Sequence, residues 1–504
     1  MAVKSPVFQQ RRAGVLLHPT SLPCSESCWG ESKANAWGTL GKDAYRFVDL
    51  VAQSGLSIWQ MLPTGPTQKD MSPYQSISAH AGNPEWISLD WLLERGWITP
   101  EDVQQVAEHS LSYARQQGAS SFFQFIDTHD GAAIRHQFEH FCSQQHDWLH
   151  DFALFSALRA HFDRKSWITW PEKLRKRDPE AIRHMRTDLK QAIDVVLFEQ
   201  FCFFSQWAAL KSYANKKGVY LFGDMPIFVG HDSADVWAHP HYFQLDEQGK
   251  PRTVAGVPPD YFSETGQHWG NPHYNWAAME TDGFQWWLAR LGTQLHLFDL
   301  IRIDHFRGFE AFWEIPGDTR DARTGRWVKA PGAAFLQACH QAYPELPLVA
   351  ENLGLITEEV EALRQQFDLP GMLVLQFAFD GNTDNPHLPH NHSENNVIYS
   401  GTHDNDTSLG WYESLAQQHR DQLYSYCFNS PRQMPWLLIE LALSSVGRMA
   451  IIPMQDFLEL DGRHRMNMPG TTDKNWMWRF SWDQVEPTLA ERIRCLVKKY
   501  HRLT

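Results

Sequence analysis

Between Gly41 and Ser54, apolar residues fall at Ala44, Phe47, Val48 and Val51. That i, i+3, i+4, i+7 spacing predicts an amphipathic helix, and Gly55 supplies its stop. Short apolar runs flank it: Val-Leu-Leu-His at 15–18 and Ile-Trp-Gln-Met-Leu at 58–62, each running into a proline-rich loop. Strand, helix, strand at this spacing predicts a parallel sheet. From 90 to 217 no strand pattern appears. Helical periodicities alternate with polar breaks, and the longest, 188–217, is apolar around much of its circumference. This span reads as a mainly helical insertion followed by a barrel helix, placed to wrap or roof a site. A third strand at 219–222 ends at Gly223-Asp224. Residues 225–282, rich in Pro, Gly, His, Asp and Asn, read as a long active-site loop insertion.

A helix over 284–296 leads into the strand Phe298-Asp-Leu-Ile-Arg-Ile-Asp304. Four more strands follow, at 348–351, 372–377, 397–400 and 449–452, with helical stretches that include 357–367 and 434–446. Eight strands alternating with helices predict a closed α/β fold, a (β/α)8 TIM barrel. The whole chain, 1–504, then forms one catalytic domain with large, mainly helical insertions. The stretch after the last strand is too short for a C-terminal β-sandwich domain. An open doubly wound sheet is the alternative, but it normally carries a glycine-rich nucleotide fingerprint, and none occurs here.

Composition narrows the function. The 504 residues carry a net charge of −14 and no basic run, which argues against nucleic acid and against strongly anionic substrates. No apolar signal region opens the chain and no apolar run reaches the length of a membrane span, so no membrane association is expected. Seven scattered cysteines give no disulfide framework, and a cytoplasmic location is expected. His239-Pro-His241 and His390-Asn-His392 lie in polar loops rather than on strands, a weak case for metal. The 22 tryptophans exceed what a core needs, and indole faces suit the C–H faces of pyranose rings.

The chemistry concentrates at 298–304. Strand side chains alternate faces, so Leu300, Arg302 and Asp304 share one face and Ile301 and Ile303 the other. Charges on an apolar strand need partners. Barrel active sites lie at the C-terminal strand ends, where this chain places Asp224, Asp304-His305, Glu351 and His403-Asp404. A lone strand-end Asp is usually a turn or cap residue, but several on one rim are not. Crowded carboxylates raise one pKa while a nearby Arg lowers another, which suits a glycoside-cleaving pair. Arg302 beside Asp304 marks Asp304 as an ionised nucleophile. Glu351, with no adjacent cation, is the better general acid/base, and Asp404 is placed to bond the sugar ring.

Several motifs in order resemble the amylomaltases, the 4-α-glucanotransferases of glycoside hydrolase family 77 in the α-amylase clan. They are Gly223-Asp-Met-Pro-Ile-Phe-Val229, Val257-Pro-Pro-Asp-Tyr-Phe-Ser263, Trp269-Gly-Asn-Pro272, Arg302-Ile-Asp-His-Phe-Arg-Gly308, Ala350-Glu-Asn-Leu-Gly354 and Gly401-Thr-His-Asp-Asn405. The resemblance implies Asp304 as nucleophile, Glu351 as acid/base and Asp404 as transition-state stabiliser. It implies sugar contacts from Tyr74, Asp224, Arg302, His403 and Asn467; His305, by its strand-end position alone, is a further candidate for substrate contact, with core hydrogen bonding as the alternative. A loop with Pro258, Asp260 and Tyr261 would lean over the acceptor side, with Trp269 nearby. The implied activity is disproportionation of α-1,4-glucans such as maltodextrins, amylose or glycogen, with glucose or glucan as acceptor and no metal or organic cofactor. Hydrolysis of α-1,4-glucans on the same barrel is the alternative. One departure stands out. Where the family often has Gly-Tyr-Gly-Asp before Ser-Pro-Tyr, this chain has Gln68-Lys-Asp-Met71, which puts a remote glucan-binding site at that loop in question.

Overall fold

The computed structural model describes residues 5–25, 37–106, 110–259, 264–319, 321–427, 430–471 and 473–504. Its twelve strands in chain order are β1 (Arg12–Leu16), β2 (Ile58–Gln60), β3 (Tyr220–Pro226), β4 (Thr253–Val257), β5 (Gln267–Pro272), β6 (Leu300–Asp304), β7 (Ala311–Pro316), β8 (Arg326–Lys329), β9 (Leu348–Ala350), β10 (Gly371–Val374), β11 (Asn396–Tyr399) and β12 (Met449–Pro453). Eight form one parallel sheet in the order β10-β11-β12-β1-β2-β3-β6-β9. The two end strands meet where Ala350 N–H donates to the Pro370 carbonyl at 2.8 Å, one residue before β10. The Met372 N–H reaches the Asn352 side chain at 2.8 Å across the same seam. The result is the (β/α)8 barrel.

Strand alternation sorts the core into two bodies. Leu16, Ile58, Phe222, Leu300, Val349, Met372, Val397, Met449 and Ile451 pack together inside the barrel, where Val7 and Phe8 also join them. Their strand neighbours, among them Val15, Trp59, Leu221, Ile301, Ile303, Leu348, Ile398 and Ile452, pack outward with the helices. Leu300 is therefore an inner residue, and the period of two carries Arg302 and Asp304 along the same inner face.

Between 90 and 217 the described residues are helical or turn, without strands. The long helix Lys190–Lys216 is, by length and composition, apolar enough to cross a membrane, which no run in the sequence suggested. Most of its apolar stretch is buried, however, and Trp207 Nε1 is anchored on the Leu297 carbonyl at 2.8 Å. It serves as a core helix.

Several boundaries differ from the sequence reading. The first strand lies earlier, at 12–16, and the sixth barrel strand stops at Val374, with Leu375–Phe377 turning into a 3-10 helix. More consequentially, 225–282 is not only loop. It contributes β4 and β5 to a four-stranded antiparallel sheet, order β5-β4-β7-β8, completed by two strands the sequence did not announce. β5 and β8 are short and at least half polar or Gly/Pro, and β4 and β7, though largely apolar, are too short for their own pattern to separate strand from other structure. Their pairing is decided by partners across the sheet rather than by their own pattern.

Candidate active site

At the C-terminal rim of the barrel lies a cleft of about 420 Å³. Asp304, Glu351 and Asp404 all line it, delivered by β6, β9 and the loop after β11. Arg302, Tyr74, Pro258, Trp269, His305 and Asn467 line it too. Asp224 and His403 do not; they stand behind its wall and hold residues that do. Asp260 and Tyr261 lie outside the described residues.

Arg302 is the hub. Its Nη1 lies 2.8 Å from both carboxylate oxygens of Asp224, and its Nη2 lies 2.9 Å from Asp304 Oδ1. Neighbouring parallel strands make this possible, because Asp224 and Arg302 sit opposite each other in the β3–β6 ladder. Gly223, just before Asp224, has no room for a side chain, since a Cβ there would meet the Phe298 ring at 2.2 Å. The Tyr74 hydroxyl donates to Asp224 Oδ2 at 2.7 Å. Its hydrogen being used there, the 2.8 Å contact with His403 Nε2 places the hydrogen on that nitrogen. Burial keeps the His403 imidazole below its usual pKa and holds the Tyr74 phenol well above its own. Tyr74 stacks on His403 at 5.4 Å between ring centroids.

Glu351 is held differently. The His305 backbone N–H donates to its Oε2 at 2.7 Å and the Leu353 N–H to its Oε1 at 2.8 Å. His305 adopts a left-handed conformation, φ 53°, at the turn that follows β6. Its imidazole meets Trp269 edge-on at 4.9 Å, and its Nε2 is buried without a hydrogen-bond partner. Asp404 accepts a hydrogen bond from Asn467 Nδ2 at 2.6 Å, and its other oxygen lies 3.3 Å from His403 Nε2.

Four carboxylates thus crowd one rim, two of them on one guanidinium. Burial raises the Asp304 pKa, and the charges of Asp224, Glu351 and Asp404 add to that; Arg302 opposes it. Burial likewise raises Glu351, against Arg302 and the two backbone N–H donors. This corrects the expectation that Arg302 leaves Asp304 simply ionised. The guanidinium is shared with Asp224, so it offsets only part of the cost. The Asp304 side chain remains 29% exposed to the cleft, and water there moderates the rise. The direction for both groups is upward, and the pair retains a proton more readily than two independent carboxyls.

Sequence reasoning missed three contributors. Arg465 donates to the Asp404 backbone carbonyl (3.2 Å) and to the Asn467 carbonyl (3.2 Å), tying the loop after β12 to the loop after β11. Trp476 packs near both Tyr74 and His403 and lines the cleft. Trp327, on β8, reaches the cleft from the antiparallel sheet with the Arg307 guanidinium 3.6 Å above its ring. None lies at a barrel strand end; the wealth of tryptophan was the signal for Trp476 and Trp327, and Arg465 had none. Among the described residues no group of three or more His, Cys, Asp or Glu is arranged to hold a metal ion, the two His-x-His pairs included.

The glycoside hydrolase family 77 model, described as 4-alpha-glucanotransferase, matches residues 17–485. The chain is 45% identical to the 4-alpha-glucanotransferase of Thermus thermophilus, over 98% of this chain and 99% of that one. It is 44% identical to the Synechocystis 4-alpha-glucanotransferase, with the same two coverages. Among solved structures, the amylomaltase from Streptococcus agalactiae in complex with acarbose superposes with a TM-score of 0.91 at 34% identity, covering 98% of this chain and 100% of that one. Matched across nearly its whole length, this chain belongs to glycoside hydrolase family 77, the 4-α-glucanotransferases.

Proposed function

We propose that this 4-α-glucanotransferase moves α-1,4-glucan segments between chains by retaining double displacement at Asp304, Glu351 and Asp404. The observation that carries the reading is Arg302 fixed between Asp224 and Asp304, with Glu351 and Asp404 on the same cleft. In the reactive form the shared proton sits on Glu351 and Asp304 is ionised. Asp304 attacks the anomeric carbon while Glu351 protonates the departing glycosidic oxygen. Positive charge developing on the sugar favours the ionised form of Asp304, so substrate binding supplies what Arg302 alone does not. Asp404, oriented by Asn467 and His403, binds ring hydroxyls and favours distortion toward the transition state. Glu351, now a base, activates the 4-hydroxyl of an incoming glucan or glucose. Transfer wins over hydrolysis where the sugar acceptor is held better than water, and Trp269, Pro258 and the sheet-borne Trp327 line the cleft with surface suited to that.

Tyr74, Arg302 and Asn467 are assigned to sugar contact from the cleft wall. Asp224 and His403 are assigned to holding them, as the hydrogen bonds above support. A cytoplasmic location is part of the proposal; Cys142, Cys202, Cys339, Cys427 and Cys495 as free thiols accord with a reducing compartment. Incubation with maltotriose tests the function. Glucose together with maltodextrins longer than the substrate is the expected outcome; a mixture in which nothing exceeds the substrate in length overturns transfer in favour of hydrolysis.

A further inference from the structure

A second cavity, of about 530 Å³, opens on the flank of the molecule and shares none of its lining residues with the catalytic cleft. It lies between the insertion helix Leu149–His161, the short helix Ala234–Ala238 and the barrel helices Gln285–Leu297 and Gly332–Ala342. Its walls mix aromatic surface with hydrogen-bonding groups: Trp148, Tyr242, Trp286 and Tyr343 among the former, His80, His239, Asp147 and Asp235 among the latter.

The charge state of the lining narrows what fits. Among the described residues no Lys or Arg lines the cavity, and the lining they form offers an anion nothing to pair with. Asp151, at its edge, is already paired with Arg177 at 2.8 Å and Arg186 at 3.3 Å. Asp235 accepts the Ala79 N–H at 2.8 Å, and burial lifts its pKa to about 6. His80 contacts the Thr293 hydroxyl at 2.9 Å and is held neutral by burial, its pKa pushed down to about 3. The cavity thus has no cation in its lining, is rich in hydrogen-bonding groups, and is walled by rings. Volume and lining match a ligand pocket rather than a packing void. Ring faces and edges beside carboxylate and imidazole groups suit a ligand with alternating C–H and hydroxyl surfaces, the hydroxyls donating to the carboxylates.

We propose that this flank cavity is a second carbohydrate-binding site, which holds a few glucosyl residues of a long glucan while another part of the chain occupies the catalytic cleft. The proposal rests on the glucan-transfer reading above. It places the site away from the 68–71 loop, on different elements. The site adds local concentration rather than chemistry. A chain long enough to engage both positions binds more tightly, and a short one gains nothing.

The test plugs the cavity without removing its packed rings. Ala342, exposed, and Ala238, partly buried, line it at helix ends, and Ala342→Trp or Ala238→Trp fills it. In an Asp304→Asn background, which cannot turn substrate over, calorimetric titration with maltoheptaose is expected to show two classes of site. One class remains after either plug, in proteins whose Tm stays within a few degrees. In the active enzyme, Ala342→Trp is expected to leave kcat and KM for maltotriose unchanged and to raise KM for amylose about threefold or more. A single class of site in the unplugged protein overturns the proposal, as does an unchanged KM for amylose. Preferential occupation by an organic cation such as tetramethylammonium overturns it as well. Absence of any maltoheptaose binding would instead count against the glucan-transfer reading itself.

Discussion

The catalytic cleft and the flank cavity are similar in size and are both lined by tryptophan and carboxylates, yet of the two only the cleft has arginines among its lining residues. In the cleft, Arg302 touches Asp224 and Asp304 directly, and Glu351 is pinned by two backbone N–H groups. In the flank, the buried Asp235 has backbone donors and a histidine nitrogen 3.8 Å away but no cation in contact, and burial raises its pKa to about 6. A buried carboxylate without a contacting cation lowers its cost by taking up a proton. In the cleft, burial raises both Asp304 and Glu351 while Arg302 opposes the rise. A pair in which one group can hold a proton while the other faces a cation is the equipment for glycosyl transfer. Carboxylates beside tryptophan thus become reactive through the cation fixed among them.

The largest effect expected from breaking that contrast is at Asp304. Asp304→Ala should lower glucose release from maltotriose by about four orders of magnitude or more, as removal of a covalent nucleophile does. Its stability should not fall. A carboxyl whose folded pKa is raised favours the fold most at low pH, and that contribution is lost as pH rises through the folded pKa. At pH 7 the substitution therefore removes a liability, and Tm should hold or rise. Asp235→Asn, in the flank, should leave maltotriose turnover within about twofold, because nothing there reacts. Comparable losses at both positions would erase the distinction.

Arg302→Met should follow closely. It strands Asp224 and Asp304 in the barrel without their cation. Breaking a buried pair this way costs about 3–5 kcal/mol, so Tm should drop where that of Asp304→Ala does not. Activity should fall about a thousandfold, since a protonated Asp304 does not attack. Arg302→Lys should recover part of the stability and little of the rate, because an ammonium cannot reproduce the planar fork that spans two carboxylates.

Asp224→Asn sharpens the same point through pH. It removes one negative charge near Asp304 and returns the whole of Arg302 to the reacting pair. Both changes favour ionised Asp304. The acid limb of the kcat/KM profile should move down by about one pH unit. A move upward would show that Asp224 serves mainly as a hydrogen-bond anchor for Tyr74.

How much of this was legible follows from how each feature is encoded. The barrel was, because eight apolar strands separated by helical periods write their own alternation into the chain. The inner face of 300–304 was, because a period of two leaves no choice about where Arg302 and Asp304 point. The antiparallel sheet of β4, β5, β7 and β8 was not, since stretches such as Gln267–Pro272 owe their extended form to partners and carry little pattern. The net charge state of Asp304 was misjudged for a related reason. Arg302 was visible at a spacing of two, but its second partner, Asp224, is 78 residues upstream and joins it only through the β3–β6 ladder.

Asn467→Ala tests a contact that comes from outside the barrel strands. Asn467 donates to Asp404 Oδ1 at 2.6 Å, and Arg465 braces the same loop. A hydrogen bond to a charged group is worth about 1.5–3 kcal/mol, so kcat/KM should fall roughly ten- to a hundredfold. The loss should lie mainly in kcat if Asp404 acts on the distorted sugar. A pure KM effect would place Asn467 in ground-state binding instead.

The smallest expected effect is at His305, and it separates backbone from side chain in a residue that the sequence motif offers as one unit. Its N–H, at 2.7 Å from Glu351 Oε2, is the atom in contact with the acid/base. The left-handed φ of 53° sets the direction of that N–H. The imidazole meets Trp269 edge-on, and its Nε2 is closed off from hydrogen-bond partners. Asn tolerates the left-handed region and keeps the amide. His305→Asn should therefore retain kcat within about fivefold, with any change falling on KM through the Trp269 wall. His305→Val should do far worse, because a β-branched residue resists this φ and would turn the N–H away from Glu351. If Asn and Val were equally damaging, the ring would be the working part and the left-handed turn merely its support. If Asn is mild and Val severe, the backbone turn after β6 holds the acid/base, just as the β3–β6 ladder holds the nucleophile.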